Sequence, residues 1–157
     1  MITKAASAPV KSPVVRGLAT LLANSYALLG QTHFAHWNVE GPNFFQLHAA
    51  FQSQYEELFE AVDEVAERIR ALGAIAPGGL AALAKASRIS EMSVEAAPAK
   101  EFVAHLIDGH ETLLQDARDL RASSESSGDL ETQDLVIGRI RAHQKTLWML
   151  KSFLKNL

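Results

Sequence analysis

Apolar positions recur along this chain at alternating intervals of three and four residues, the period of a helix face turned toward a core. The clearest run is Phe44, His48, Phe51, Tyr55, Leu58, Val62, Val65, Ile69 and Leu72, preceded by Asn43 and stopped at Gly73. Asn43 is a suitable N-cap, since its side chain can accept from the first free amides of a helix. Upstream, Leu18, Leu21, Leu22, Leu28, Leu29 and Val39 define a first helix over about residues 14–39, ended by Gly41-Pro42. A third helix is expected over about 99–123, with Val103, Leu106, His110, Leu113, Ala117 and Leu120 on its seam. SSESSGD then reads as a turn, and a fourth helix over about 130–154 turns Ile137, Ile140, Leu147 and Leu154 inward. Neither the two-residue period of a strand nor an internal repeat occurs.

Residues 73 to 97 carry APGG, then LAALAKAS, then a polar stretch up to Pro98. So long a segment without structure is unusual inside a domain, so it reads as a crossover carrying one short helix, about 80–86. The crossover makes helices one and two one hairpin and helices three and four another. The expected fold is all-α: a ferritin-like four-helix bundle with a short extra helix between helices two and three.

Composition narrows the chemistry. A chain of 157 residues, 48% hydrophobic, suits one domain with a real core. It has no cysteine, which excludes thiol catalysis, disulfides and zinc-thiolate sites. No apolar run approaches the ~20 residues that span a bilayer, and the N-terminus lacks the apolar stretch of a secretory signal. A cytoplasmic protein without membrane contact is expected. The net charge is -3, yet no acidic residue precedes Glu40, while Lys4, Lys11 and Arg16 do. Residues 1–13 therefore read as a flexible, mildly basic tail, and residues 14–157 as the bundle.

The candidate chemistry lies in two clusters. HFAHWNVEGPNFFQLH, residues 33–48, places His36 and His48 on either side of the first hairpin turn. Asp63 and Glu67 follow one helical turn apart. Histidine with carboxylate is a donor set suited to iron. On one straight helix, however, His48 lies ~22 to 28 Å from the two acids, at ~1.5 Å rise per residue. First-shell ligands of one ion must nearly touch, so one chain cannot join the clusters. At ~100° per residue, His48, Gln52, Asp63 and Glu67 share roughly a 100° arc, with Phe45, Ala49 and Phe59 in or beside it. That is a second mixed surface next to the core seam. Two copies packed antiparallel about a two-fold axis near Glu56 would set His36 and His48 of one chain against Asp63 and Glu67 of the other, twice per dimer.

AHWNVEGPNFFQLH followed by DEVAERIRALG, with the crossover helix and ETQDL opening the last helix, resembles the Dps proteins (DNA-binding proteins from starved cells, or mini-ferritins). The resemblance covers most of the chain. It implies a hollow homo-dodecamer with ferroxidase sites at two-fold interfaces. There Fe(II) is oxidised, with hydrogen peroxide or oxygen as oxidant, and stored as ferric mineral, protecting against oxidative stress. It assigns His36, His48, Asp63 and Glu67 as catalytic metal ligands. Zinc or manganese could occupy the same donors. Where relatives carry a carboxylate four residues after the second histidine, this chain has Gln52, read here as a hydrogen-bonding neighbour of the site. Nucleating acids of relatives are replaced by Ala49 and Ser53. Trp37 neighbours the site, as a shield or electron donor. Asp129, Glu131 and Asp134 are assigned to an acidic pore drawing in cations. The alternative function is a DNA-binding, nucleoid-associated shell with a weak or vestigial ferroxidase site. A larger-ferritin site inside one bundle needs Glu-x-x-His pairs, and His105 and His110 have no glutamate three residues before them.

Each feature has a plainer version. Glu56, Glu57, Glu60 and Glu64 read as a solvated face or a cavity wall. His33 and His110 read as core or surface histidines, and His143 has no partner suggested by spacing.

Overall fold

A computed structural model describes residues 12–93 and 97–155. The tail expected over residues 1–13 lies outside them, apart from Ser12 and Pro13. Five helices follow in order: α1 Pro13–Asn38, α2 Phe44–Ala71, α3 Leu80–Ala86, α4 Ala99–Ser127 and α5 Leu130–Leu154. No strand occurs among the described residues. Pro13 starts α1, where its missing N–H costs nothing. α1 packs against both α2 and α4, α5 packs on α4 and more sparsely on α2, and α3 lies on α1. The core runs the length of the bundle through Leu18, Leu21, Leu28, Phe51, Leu58, Ile69, Phe102 and Leu113, all essentially inaccessible.

The crossover is held by two polar side chains of α1. Asn24 accepts from the Arg88 amide at 2.8 Å and the Ser87 hydroxyl at 3.0 Å, and donates to Asp116 of α4. Gln31 accepts from the Met92 amide at 2.9 Å and lies 3.1 Å from His105 Nε2. Buried Asn24 therefore ties three segments together without an unpaired amide.

Two sequence expectations need correction. SSESSGD is not a turn throughout: α4 continues to Ser127 and ends only at Gly128, φ +71°. Its serines bond back along the helix, Ser124 to Leu120 O at 2.9 Å and Ser126 to Ala122 O at 2.9 Å, so they satisfy themselves without leaving it. The inward stripe of α5 is also different. Ile140 is buried, but Ile137, Leu147 and Leu154 are only half-buried, while Thr132, Val136, Arg139, His143 and Leu150 are buried. A hydrophobic pattern could not find a stripe that is half polar.

Candidate metal centre

The first hairpin brings His36 and His48 together. His36 is buried in the last turns of α1, and His48 is half-buried near the start of α2. Their rings stack with centroids 3.7 Å apart. His36 Nδ1 lies 2.9 Å from His48 O, and His48 Nδ1 lies 2.9 Å from His36 O. A carbonyl only accepts, so each Nδ1 carries the proton and donates. The lone pair of each neutral ring is then on Nε2. A backbone acceptor that fixes tautomer and ring orientation is the usual support of a metal-binding histidine.

Sequence reasoning missed the ring system behind this pair. Tyr55 meets His36 edge-on at 5.2 Å and lies 4.0 Å from His33, which stacks on Trp37 at 5.0 Å. His33 is therefore part of an aromatic wall, and burial first, then His36, hold its pKa below 6.5. Tyr55 stood on the apolar seam seven residues after His48, a spacing that hinted at this contact.

The acids lie elsewhere. α2 is one uninterrupted helix, so Asp63 and Glu67 sit ~22 Å or more along it from His48. Both are exposed. Among the described residues no three His, Asp or Glu side chains gather to hold an ion within one chain. Asp63 lines an open groove of about 620 Å³ with Tyr26, Phe59, Ala66, Pro77 and Leu83. Gln52 is exposed and donates to Glu56 at 2.9 Å, which leaves its carbonyl oxygen available. Beside these residues three large apolar side chains face solvent: Trp37 68% exposed, Phe45 83% and Phe59 67%.

Of the acids assigned to a pore, Glu131 and Asp134 are exposed, but Asp129 is engaged. It caps α5, accepting from the Thr132 amide at 3.0 Å and hydroxyl at 2.7 Å, and pairs with Arg68 at 2.7 Å. Burial works to raise its pKa, but the hydrogen bonds from Thr132 and the Arg68 charge outweigh it and hold the carboxyl below 3.8.

The ferritin-like domain family matches residues 15–157. A DNA protection during starvation protein of Porphyromonas gingivalis is 31% identical over 142 residues, 90% of this chain and 89% of the relative. The crystal structure of the Dps protein of Vibrio cholerae O1, described as belonging to a broad superfamily of ferritin-like diiron-carboxylate proteins, superposes with a TM-score of 0.86. It is 34% identical, covering 90% of this chain and 89% of that one. This chain belongs to the Dps proteins of the ferritin-like family. Staphylococcus aureus Dps is likewise similar, with a TM-score of 0.89 and 32% identity over 92% of this chain and 97% of that one. An uncharacterized low temperature-induced protein of Nostoc is 36% identical over 136 residues, 86% of this chain and 76% of that protein. This Dps chain thus carries a prepared histidine pair at one end of α2, an acid pair further along, and exposed aromatic rings beside both.

Proposed function

We propose that this Dps protein is a cytoplasmic ferroxidase and iron store, with Fe(II) as substrate, assembled as a hollow shell of twelve copies. The observation that carries the reading is the reciprocal Nδ1-to-carbonyl bonding of His36 and His48. It prepares two Nε2 donors to which no carboxylate of the same chain is joined among the described residues. Asp63 and Glu67 of a second copy, packed antiparallel on α2, complete the donor set with hard oxygens that favour Fe(III) over Fe(II). Trp37, Phe45 and Phe59 are the apolar area such a contact would bury.

Peroxide taking one electron from each of two irons gives 2 Fe(II) + H₂O₂ + 2 H⁺ → 2 Fe(III) + 2 H₂O, with no radical released; oxygen is the slower alternative oxidant. The chain's own part is to hold the metal with fixed imidazoles, wall the site with Tyr55, His33 and Trp37, and neutralise ferric charge with Asp63 and Glu67. Gln52 supplies a neutral oxygen where a carboxylate would bind a second iron more tightly. Glu131 and Asp134 draw cations toward a pore.

The test is anaerobic Fe(II) loading, then a peroxide pulse, with native mass measured in parallel. A twelve-subunit mass and fast ferric absorbance at about two irons per peroxide are expected. His36→Ala or Asp63→Ala should each slow the fast phase by at least about 100-fold, as loss of a metal ligand costs several kcal/mol of site stability. A monomer indifferent to iron would sink the proposal. The second reading, a DNA-protecting shell with a weak site, is favoured by the names of relatives and by the basic residues before Glu40. DNA retention at physiological salt without iron oxidation would support it.

A further inference from the structure

The centre of the bundle holds a polar chain that takes no part in the iron site. His110 of α4 and His143 of α5 meet Nδ1 to Nδ1 at 2.9 Å, and the two residues are 2% and 1% exposed. Arg139, one turn before His143 on α5, reaches His143 Nε2 at 3.0 Å with Nη2. Its guanidinium also forms a two-pronged ion pair with Glu57 of α2. On α1, the Asn24–Asp116 and Gln31–His105 bonds bracket the level of His110. On α2, Gln54 lies one turn from Glu57 in the direction that His143 lies from Arg139, because α2 and α5 run antiparallel.

The protons of this chain have one arrangement. A guanidinium only donates, so His143 Nε2 accepts and the single proton of that ring sits on Nδ1. That proton points at His110 Nδ1, which accepts it, so His110 carries its own proton on Nε2. Among the described residues four buried side-chain atoms have no protein partner: Ser25 Oγ, Gln54 Oε1, His110 Nε2 and Arg139 Nε. They come one from each long helix. Two of them, His110 Nε2 and Arg139 Nε, belong to the chain of His110, His143 and Arg139, which is hydrogen-bonded along its length but not fully satisfied.

We propose that His110 and His143 form a proton-operated latch between α4 and α5, closed while both rings are neutral and opened by one added proton. The extra proton has two places to go. On His110 Nδ1 it sets N–H against N–H at 2.9 Å; on His143 Nε2 it sets N–H against the Arg139 donor at 3.0 Å. Two donors cannot share a hydrogen bond, so either site forces the rings apart. The charges facing the pair give the added cation no shelter. α5 presents Arg139, α2 presents Glu57 with both oxygens already on Arg139, and neither α1 nor α4 buries a carboxylate, lysine or arginine. In keeping with this, burial first and Arg139 second push His110 down to about 3. Burial, then His110 and Arg139, hold His143 well below 6.5.

The direction follows from linkage. Histidines of the unfolded chain take up protons below about pH 6.5, while the folded pair refuses them. The latch is therefore fully effective above that pH and loses its contribution as pH falls below it. Two refused protons raise the unfolding constant by up to about 100-fold per pH unit, one by up to about tenfold. None of His110, His143, Arg139 and Glu57 is among the residues assigned to the metal.

The test compares full-length wild type with His143→Gln by urea unfolding from pH 8 to 5 at fixed subunit concentration. Glutamine offers an acceptor to Arg139 and an N–H to His110 but cannot be protonated. The ratio of the two unfolding constants should be flat above pH 7 and change by up to about tenfold per pH unit below 6.5, wild type being the more acid-sensitive. Parallel pH curves would overturn the latch. Should His143→Gln not fold, hydrogen–deuterium exchange of wild type at pH 7.5 and 5.5, corrected for intrinsic exchange rates, decides. Protection should fall first in α4 and α5 around residues 106–114 and 139–147. Loss that is uniform, or that begins in α1 or α2, would equally overturn it.

Discussion

Single side chains here do their work through the partner that fixes them. His36 and His48 each donate Nδ1–H to the other's carbonyl, which fixes both rings with the Nε2 lone pair free, the form that the proposed metal site needs. Gln52 shows the reverse case, since its amide supplies oxygen without charge. Gln52→Asp should raise anaerobic Fe(II) binding toward two irons per site, read by calorimetric titration of the apo shell; unchanged stoichiometry would show that position 52 faces away from the metal. Asp129, one of the acids assigned to a pore, also caps α5 within its own chain. Asp129→Ala should cost about 1–2 kcal/mol in urea unfolding, through loss of the α5 cap and the Arg68 pair. Because the folded carboxyl titrates below its ordinary value, that stabilisation is complete above about pH 4 and fades only as pH falls through the folded value. The cost should thus be the same at pH 7 and 5.5, a range in which the histidine latch already weakens.

At the level of helices, α1, α2 and α5 begin and end close to where apolar period and turn residues place them, and α3 runs over the expected residues. α4 does not, because serine has two local options: it can leave the helix or bond back to it, and composition does not choose. Gly128 makes the choice. Its φ of +71° suits glycine and strains any side chain. Gly128→Ala should destabilise the protein by about 1 kcal/mol without altering helix content, measured by urea unfolding and circular dichroism. A larger loss, or a gain, would mean that α4 can end elsewhere. The crossover between α2 and α4 keeps its course through Asn24 and Gln31, which lie on α1 far away in sequence; no local pattern reveals such anchors.

For the whole molecule the unresolved balance is between the bundle and its copies. The core is complete within one chain, yet Phe45 and Phe59 face solvent on the α2 arc shared with His48 and Asp63, and Trp37 faces solvent from the end of α1. Surface rings of this size in one region mark a contact surface. Phe45→Glu should leave helicity intact and shift the native mass from the shell to smaller species, with the fast ferroxidase phase lost in step. A full-size shell with normal oxidation would place the contact elsewhere.

The sequence by itself determined the helices, the crossover and the positions of the two candidate clusters, His36 with His48 and Asp63 with Glu67. Their signals are a repeating period, glycine and proline breaks, and fixed spacing along one helix, all of which are local. Tertiary structure alone decided that His36 and His48 bond each other's carbonyls, that Tyr55 and His33 wall them, and that Asp129 serves a cap. It alone placed His143, to which spacing gave no partner, against His110 at 2.9 Å with Arg139 and Glu57 behind it. The contacts between His36 and His48, His110 and His143, and Glu57 and Arg139 join residues 12, 33 and 82 positions apart on different helices. Burial there is chosen by which polar groups can satisfy one another, and hydrophobic period carries no trace of that choice.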